Sequence, residues 1–161
     1  MANVFSGSEI VSFGIQIEKN GRDFYKTLTE KTASDEAEDI FRFLGGEEEK
    51  HILVFQKILD SVKEYEPEES YPGEYFAYMS MLAGQYVFTQ ADRGKEAAKN
   101  TKNDKDAIDA GIKFEKESII FYEEMKKAVP EDQAAVVDKL IDQENSHLFK
   151  LLKLRGMAEF T

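Results

Sequence analysis

The chain has 161 residues, 42% hydrophobic and 33% charged, so a single folded domain over residues 1–161 is expected. The formal charge of −11 argues against nucleic acid or an anionic membrane as partner, because clustered Lys and Arg side chains bind both. The absence of Cys excludes disulfides and thiolate metal sites, and the first residues lack a signal-peptide pattern, so a cytoplasmic location is expected.

The first predicted helix covers residues 8–31 and carries an apolar stripe that recurs every three or four residues. Glu18 lies in the middle of this stripe, with the small residues Gly14 and Gly21 about one turn away on either side. Tyr25 follows on the same stripe, where it is either a core aromatic or a hydrogen-bond donor to a ligand carboxylate. The pattern predicts an acidic side chain inside the protein.

The second predicted helix covers residues 34–65 and carries the pair Glu48 and His51 on its apolar stripe. A Glu and a His three residues apart project from the same helix face, so one such pair can hold a metal ion. Glu47 and Glu49 point off the stripe and are predicted to be solvated.

Two glycines, Gly45 and Gly46, precede this pair. Each costs a helix interior about 1 kcal/mol relative to Ala. We therefore expect them to permit close approach of a neighbouring helix or an opening beside the site.

Residues 66–103 connect the two halves of the chain and are too many for a simple turn. The connection has polar ends and an apolar middle around residues 75–88, too short to cross a bilayer. We expect a crossover that contains a short helix. Its Met and aromatic side chains are interpreted as packing or dimer contacts rather than a cofactor site: Tyr75, Tyr78, Met79, Met81 and Tyr86.

The third and fourth predicted helices, residues 104–128 and 131–155, repeat the first two. The segment "GIKFEKESIIFY" matches "GIQIEKNGRDFY" at an offset of 97, and "LIDQENSH" matches "LGGEEEKH" at an offset of 96. The repeat adds Glu115, Tyr122, Glu144 and His147 as counterparts of the residues above. Expected helix ends are N-caps at Ser8 and Ser34, Pro130 in a first turn and Gly156 after the last helix.

The connections at residues 32–33 and 129–130 are short, so each half should form an antiparallel helical hairpin, at residues 8–65 and 104–155. Two hairpins joined by one long crossover are typical of an all-α, ferritin-like four-helix bundle.

Four glutamates would then converge in the core, and no Lys or Arg lies on the four stripes to pair with them. A buried carboxylate must pair, take up a proton or bind a cation. Two divalent cations would balance four negative charges and leave two neutral imidazoles as nitrogen ligands. The predicted set for a dinuclear metal site is Glu18, Glu48, His51, Glu115, Glu144 and His147.

The segments "IEKNGRDFY", "EEEKH", "FEKESIIFY" and "DQENSH", in this order, resemble the ferritin-like di-iron domain of the rubrerythrin family. The resemblance implies two iron ions, with Mn or Zn as alternatives by ligand chemistry. It also implies that the four glutamates are the family's bridging and terminal ligands and that His51 and His147 are its nitrogen ligands.

Two features depart from the family pattern. Rubrerythrins proper carry a rubredoxin domain with four cysteines, whereas this chain has no Cys, so electrons are expected from a separate donor protein, rubredoxin-like or other. Rubrerythrins also place another glutamate one turn after the third-helix ligand, where this chain has Ser118.

Three functions follow as hypotheses. The first is reduction of hydrogen peroxide or dioxygen at a di-iron centre, most simply in a homodimer. The second is iron handling by a ferroxidase. A cage-sized particle would favour iron storage, whereas a dimer would exclude storage but not ferroxidase activity. The third is a metal-free helical interaction module, which predicts protein without stoichiometric metal and no loss of stability in Glu18→Ala or Glu115→Ala.

Overall fold

Four long helices and one short helix make up the part of the chain that the structure, a computed structural model, describes, namely residues 7–64, 81 and 90–159. The long helices are α1 (Gly7–Lys31), α2 (Asp35–Glu64), α4 (Asp104–Met125) and α5 (Glu131–Glu159), and the short helix is α3 (Arg93–Lys99). One turn of 3₁₀-helix, Lys126–Ala128, extends α4. None of the helices in these ranges is both long and apolar enough to span a membrane.

The long helices pack as two hairpins, α1 against α2 and α4 against α5. The hairpins meet along α1 and α4 on one side and along α2 and α5 on the other. Apolar stripes from all four helices form the core, which contains Phe24, Phe41, Phe55 and Phe121 with no exposed surface. The predicted all-α bundle of helical hairpins is confirmed.

The helix ends agree with the sequence at Ser34 and differ at two positions. The Ser34 hydroxyl accepts a hydrogen bond from the backbone N–H of Ala37 at 3.4 Å, which makes it the predicted N-cap of α2. Ser8 lies inside α1, which begins at Gly7. Gly156 lies inside α5, which runs on to Glu159, so neither residue marks a helix end.

The crossover contributes α3, which packs on α1 through its backbone. The Asn20 side chain donates to the carbonyl of Gln90 at 2.6 Å and accepts from the backbone N–H of Gly94 at 3.2 Å. At the other end of α3, the Lys31 ammonium donates to the carbonyls of Ala98, Lys99 and Thr101, where a cation also suits the negative end of the helix dipole.

The predicted short helix of the crossover therefore exists, in the polar end of the segment. The apolar middle of the crossover, including Tyr75, Tyr78, Met79 and Tyr86, lies outside the described residues except for Met81, which is exposed.

The predicted close approach of a neighbouring helix is contradicted at Gly46, whereas Gly45 is buried against α1. A methyl group on Gly45 would meet its nearest neighbour, Cβ of Tyr25, at 3.5 Å, which is an ordinary contact. Gly46 is exposed and has no other atom within 4 Å of that position, and it faces away from Glu48 by the helical geometry. An alanine at position 45 would thus fit against α1, and Gly46 has no neighbour on another helix.

Close packing instead requires Gly14 and Gly21 on α1. A methyl group on Gly21 would lie 2.6 Å from the ring of Phe114, and one on Gly14 would lie 2.7 Å from the end of Met125. The small residues beside Glu18 thus admit side chains of α4 into the core.

Candidate metal centre

All six predicted ligands lie at the middle of the four long helices and are at most 3% exposed. One glutamate comes from α1 and one from α4, and a Glu-x-x-His pair comes from α2 and from α5. The structure thus brings together Glu18, Glu48, His51, Glu115, Glu144 and His147.

The six residues form two overlapping groups of four, and within each group the ligand atoms lie within 4.8 Å of one another. Glu48 and Glu144 belong to both groups. Glu18 and His51 complete one group, and Glu115 and His147 complete the other. This arrangement suits two metal ions bridged by Glu48 and Glu144, with one carboxylate and one imidazole at each end.

Two buried tyrosines hold the terminal carboxylates, each across the hairpin boundary. The Tyr25 hydroxyl, on α1, donates to Oε1 of Glu115 on α4 at 2.6 Å. The Tyr122 hydroxyl, on α4, donates to Oε1 of Glu18 on α1 at 2.6 Å. Burial and the nearby carboxylates raise the pKa of both hydroxyls well above the usual value, so they remain protonated donors.

Several buried ligand atoms have no hydrogen-bond partner, which tests whether the residues suit a metal ion. Both oxygens of Glu48 are without a partner, as are Oε2 of Glu18 and Oε2 of Glu115. Each terminal glutamate therefore has one oxygen bound by a tyrosine and one free for a cation. Leaving such atoms unsatisfied in a core costs several kcal/mol, and two divalent cations would satisfy them, so the residues fit a dinuclear centre.

Without a cation, the cluster retains protons. Burial is the largest cause that raises the pKa of Glu18, and the charge of Glu144 is the next. The same two causes raise the pKa values of Glu48 and Glu115 well above the usual value. Burial alone would raise the pKa of Glu144 too, but hydrogen bonds from His147 and His51 hold it well below the usual value. For His51, the carboxylates of Glu18 and Glu144 outweigh burial and raise the pKa to about 11.

These shifts predict opposite pH dependences for the metal-free and metal-loaded protein. Three carboxyls and His51 have raised pKa values in the folded protein. Their contribution to the stability of the metal-free fold is complete below the unfolded pKa values and is lost as the pH rises through the folded values. The lowered pKa of Glu144 makes stability rise with pH, but this one group is opposed by the other four. The melting temperature in EDTA should fall as the pH rises from about 5 to 9.

Metal binding must displace the retained protons, so metal affinity should rise over the same pH range. Thermal melts with EDTA and with Zn(II), together with metal titrations at several pH values, measure both trends. If the melting temperature of the metal-free protein rose throughout this pH range, the raised pKa values of the buried carboxyls and of His51 would be contradicted.

The two histidines direct Nδ1 towards the carboxylates. Nδ1 of His51 lies 2.8 Å from Oε1 of Glu144, and Nδ1 of His147 lies 3.1 Å from Oε2 of Glu144. Their rings stack with centroids 5.4 Å apart and planes 14° apart. Nε2 of His51 lies 2.7 Å from Oε1 of Gln143, so in the tautomer that leaves Nδ1 free for a metal, Nε2–H donates to that amide.

The sequence analysis did not assign Gln143 or Glu47 to the site. They occupy equivalent positions of the two hairpins at the offset of 96. Glu47 is not simply solvated as predicted: its side chain is 18% exposed and its carboxylate lies within 4.8 Å of nitrogen atoms of both histidines. Glu49 lies on the outer surface as expected, paired with Lys26 at 3.2 Å. The repeat was the available signal, because both residues directly precede a stripe glutamate.

The tyrosine contacts predict a measurable effect on metal binding. Tyr25→Phe and Tyr122→Phe should each weaken metal affinity about 10- to 100-fold, because an orienting hydrogen bond to a ligand is lost. Competition with a chromogenic chelator measures the affinity. Ser118→Ala is the matched control, since the buried Ser118 hydroxyl bonds only the backbone carbonyl of Phe114, at 2.9 Å. Equal effects of all three substitutions would show that the tyrosines act through general packing.

Comparisons with known proteins agree with this site. The Rubrerythrin family model matches residues 9–155. A crystal structure provisionally described as a ferritin-like diiron-carboxylate protein, from Thermotoga maritima, matches with 27% identity and a TM-score of 0.72, covering 98% of this chain and 99% of that chain. None of the curated proteins matches the sequence.

Proposed function

Since the chain belongs to the rubrerythrin family, we propose that it is a non-haem di-iron oxidoreductase that reduces hydrogen peroxide or dioxygen with electrons from a separate donor protein. The observation that carries the proposal is the pair of overlapping ligand groups, in which several buried carboxylate oxygens make no hydrogen bond. Iron is the proposed metal because of the family, whereas the ligand atoms would also suit Mn(II) or Zn(II).

Two ferrous ions held by these residues would supply together the two electrons that convert peroxide and two protons into two water molecules. Glu48 and Glu144 would be shared by the two ions, since they belong to both ligand groups. Tyr25 and Tyr122 fix the orientation of the terminal carboxylates and keep their own protons.

The surrounding core excludes bulk water from the ligands. The ring of Phe55 lies 5.0 Å from that of Tyr122, and the ring of Phe114 lies 5.9 Å from that of Tyr25, measured between centroids. In such an apolar enclosure, interactions between ligand and cation are stronger than in water. A small oxidant fits this chemistry better than a large organic substrate.

The donor is proposed to be a separate protein because the chain has no Cys with which to bind a rubredoxin-type iron. The site also lacks the additional carboxylate of rubrerythrins, since Ser118 occupies that position and its hydroxyl bonds its own helix. Among the described residues, the proposed ligands are therefore four carboxylates and two imidazoles.

The test is anaerobic loading with Fe(II), elemental analysis, and addition of hydrogen peroxide while the absorbance of an oxo-bridged ferric pair is followed. We expect two irons per chain and oxidation within seconds. No oxidation within minutes would refute the proposal. Continued consumption of Fe(II) beyond two per chain with dioxygen, and no turnover with an added donor, would favour the ferroxidase alternative.

A further inference from the structure

Glu47 is a partly exposed carboxylate beside the two buried histidines of the centre. Its carboxylate and one nitrogen each of His51 and His147 lie within 4.8 Å of one another. The Glu47 side chain is 18% exposed, whereas those of the two histidines are 1% and 3% exposed. These three residues form a cluster that reaches from the surface to the two end ligands of the centre.

The donor set and the spacing suit a weakly held cation. One carboxylate and two imidazoles are ligands that first-row divalent metals accept. With metal–ligand distances of about 2.1 Å, two atoms bound to one ion are at most about 4.2 Å apart. Small side-chain movements would bring the three donor atoms onto one ion. Three protein ligands, against four in each group of the centre, would hold that ion more weakly.

A divalent cation can replace the ammonium group that pairs with Glu47. Its carboxylate pairs with the Lys50 ammonium at 2.8 Å, and the Lys50 side chain is 73% exposed. An exposed ion pair of this kind contributes at most about 1 kcal/mol, so an arriving divalent ion can displace the ammonium. On the opposite hairpin, the equivalent position is the neutral Gln143, which bonds His51. At this position of the repeat, the structure thus has a negative charge on one hairpin and a neutral amide on the other.

A hydrated ion cannot reach the six ligands directly, because they are at most 3% exposed. It must exchange its water molecules stepwise for protein ligands, beginning with one that reaches solvent. We propose that Glu47, with His51 and His147, forms an outer divalent-cation site through which metal enters and leaves the centre. This inference rests on the dinuclear centre of the proposed function.

The experiment compares Glu47→Gln with Glu49→Gln, which removes the same charge from the same helix but from an outer position paired with Lys26. Co(II) is mixed with each metal-free protein in a stopped-flow instrument, and its visible absorbance reports uptake. Removal is timed after addition of EDTA. Stoichiometry and affinity are measured at equilibrium.

For Glu47→Gln, uptake and removal should both slow by about tenfold or more, with stoichiometry and affinity close to those of the parent protein. Glu49→Gln should behave as the parent does. Parent-like rates in Glu47→Gln, or equal slowing in both variants, would overturn the entry site. A loss of affinity with unchanged uptake would overturn it too, because Glu47 would then act by orienting His147. If the parent protein bound no Co(II), the centre itself would be refuted.

Discussion

Glu48→Gln is expected to reduce bound metal from two ions per chain to at most one and to abolish peroxide-dependent oxidation. Both oxygens of Glu48 are buried without a partner, and both ligand groups include this residue. An amide is neutral and offers a single weak acceptor, so neither ion would keep its bridge. Elemental analysis after loading and dialysis measures the stoichiometry.

Thermal melts separate this effect from general damage. Burial raises the pKa of Glu48 well above the usual value, which favours the protonated form in the metal-free protein, and glutamine resembles that form. The metal-free melting temperature should change little, while the stabilisation that added metal gives the parent should be lost. Glu49→Gln, at the neighbouring exposed position, should retain both ions. Full metal content in Glu48→Gln would refute the bridging assignment.

Gly94→Ala is expected to destabilise the fold by about 3 kcal/mol, and to lower the melting temperature by roughly 10 °C. The added methyl would overlap the backbone carbonyl of Asn20, because α3 lies directly on α1 at this point. Backbone atoms cannot turn aside as a side chain does, so α3 must move, and the hydrogen bond from Gly94 to Asn20 would be lost. Denaturant unfolding and thermal melts measure the effect.

Gly46→Ala is the matched control, since it makes the same substitution in a helix with no other atom nearby. It should stabilise the protein by about 1 kcal/mol, because alanine is the better helix former. It should also leave the rate of reaction with peroxide unchanged. Equal stability of the two variants would show that α3 does not lie on α1 as described.

The clustering of the six candidate ligands was predictable from the sequence because two independent signals agreed. Glu18 and Glu115 interrupt apolar stripes at equivalent positions of a repeat, and so do the two Glu-x-x-His pairs. Helical periodicity places such residues on one face without any knowledge of the partner helix. The long helices followed from the same periodicity, to within a few residues at their ends.

Contacts that depend on side-chain reach or on distant segments were not predictable. Glu47 precedes a stripe residue by about 100° of helix rotation, so periodicity alone predicts exposure, and only the packed helices show that its carboxylate reaches the histidines. The contact of Gly94 with Asn20 joins residues 74 apart in sequence, in a polar segment without a repeat. For Gly45 and Gly46, the sequence indicated a cost in helix stability. Only the neighbouring atoms in the folded protein show whether a glycine is required at each position.

The crosswise tyrosine hydrogen bonds have a consequence for folding. Tyr25 and Tyr122 each reach a glutamate on the other hairpin, 90 and 104 residues away in sequence. Each hairpin can form from local contacts, but these hydrogen bonds form only when one hairpin docks on the other. Completion of the site should therefore lag behind helix formation, and its rate should depend on how quickly the chain closes the long connection between the two halves.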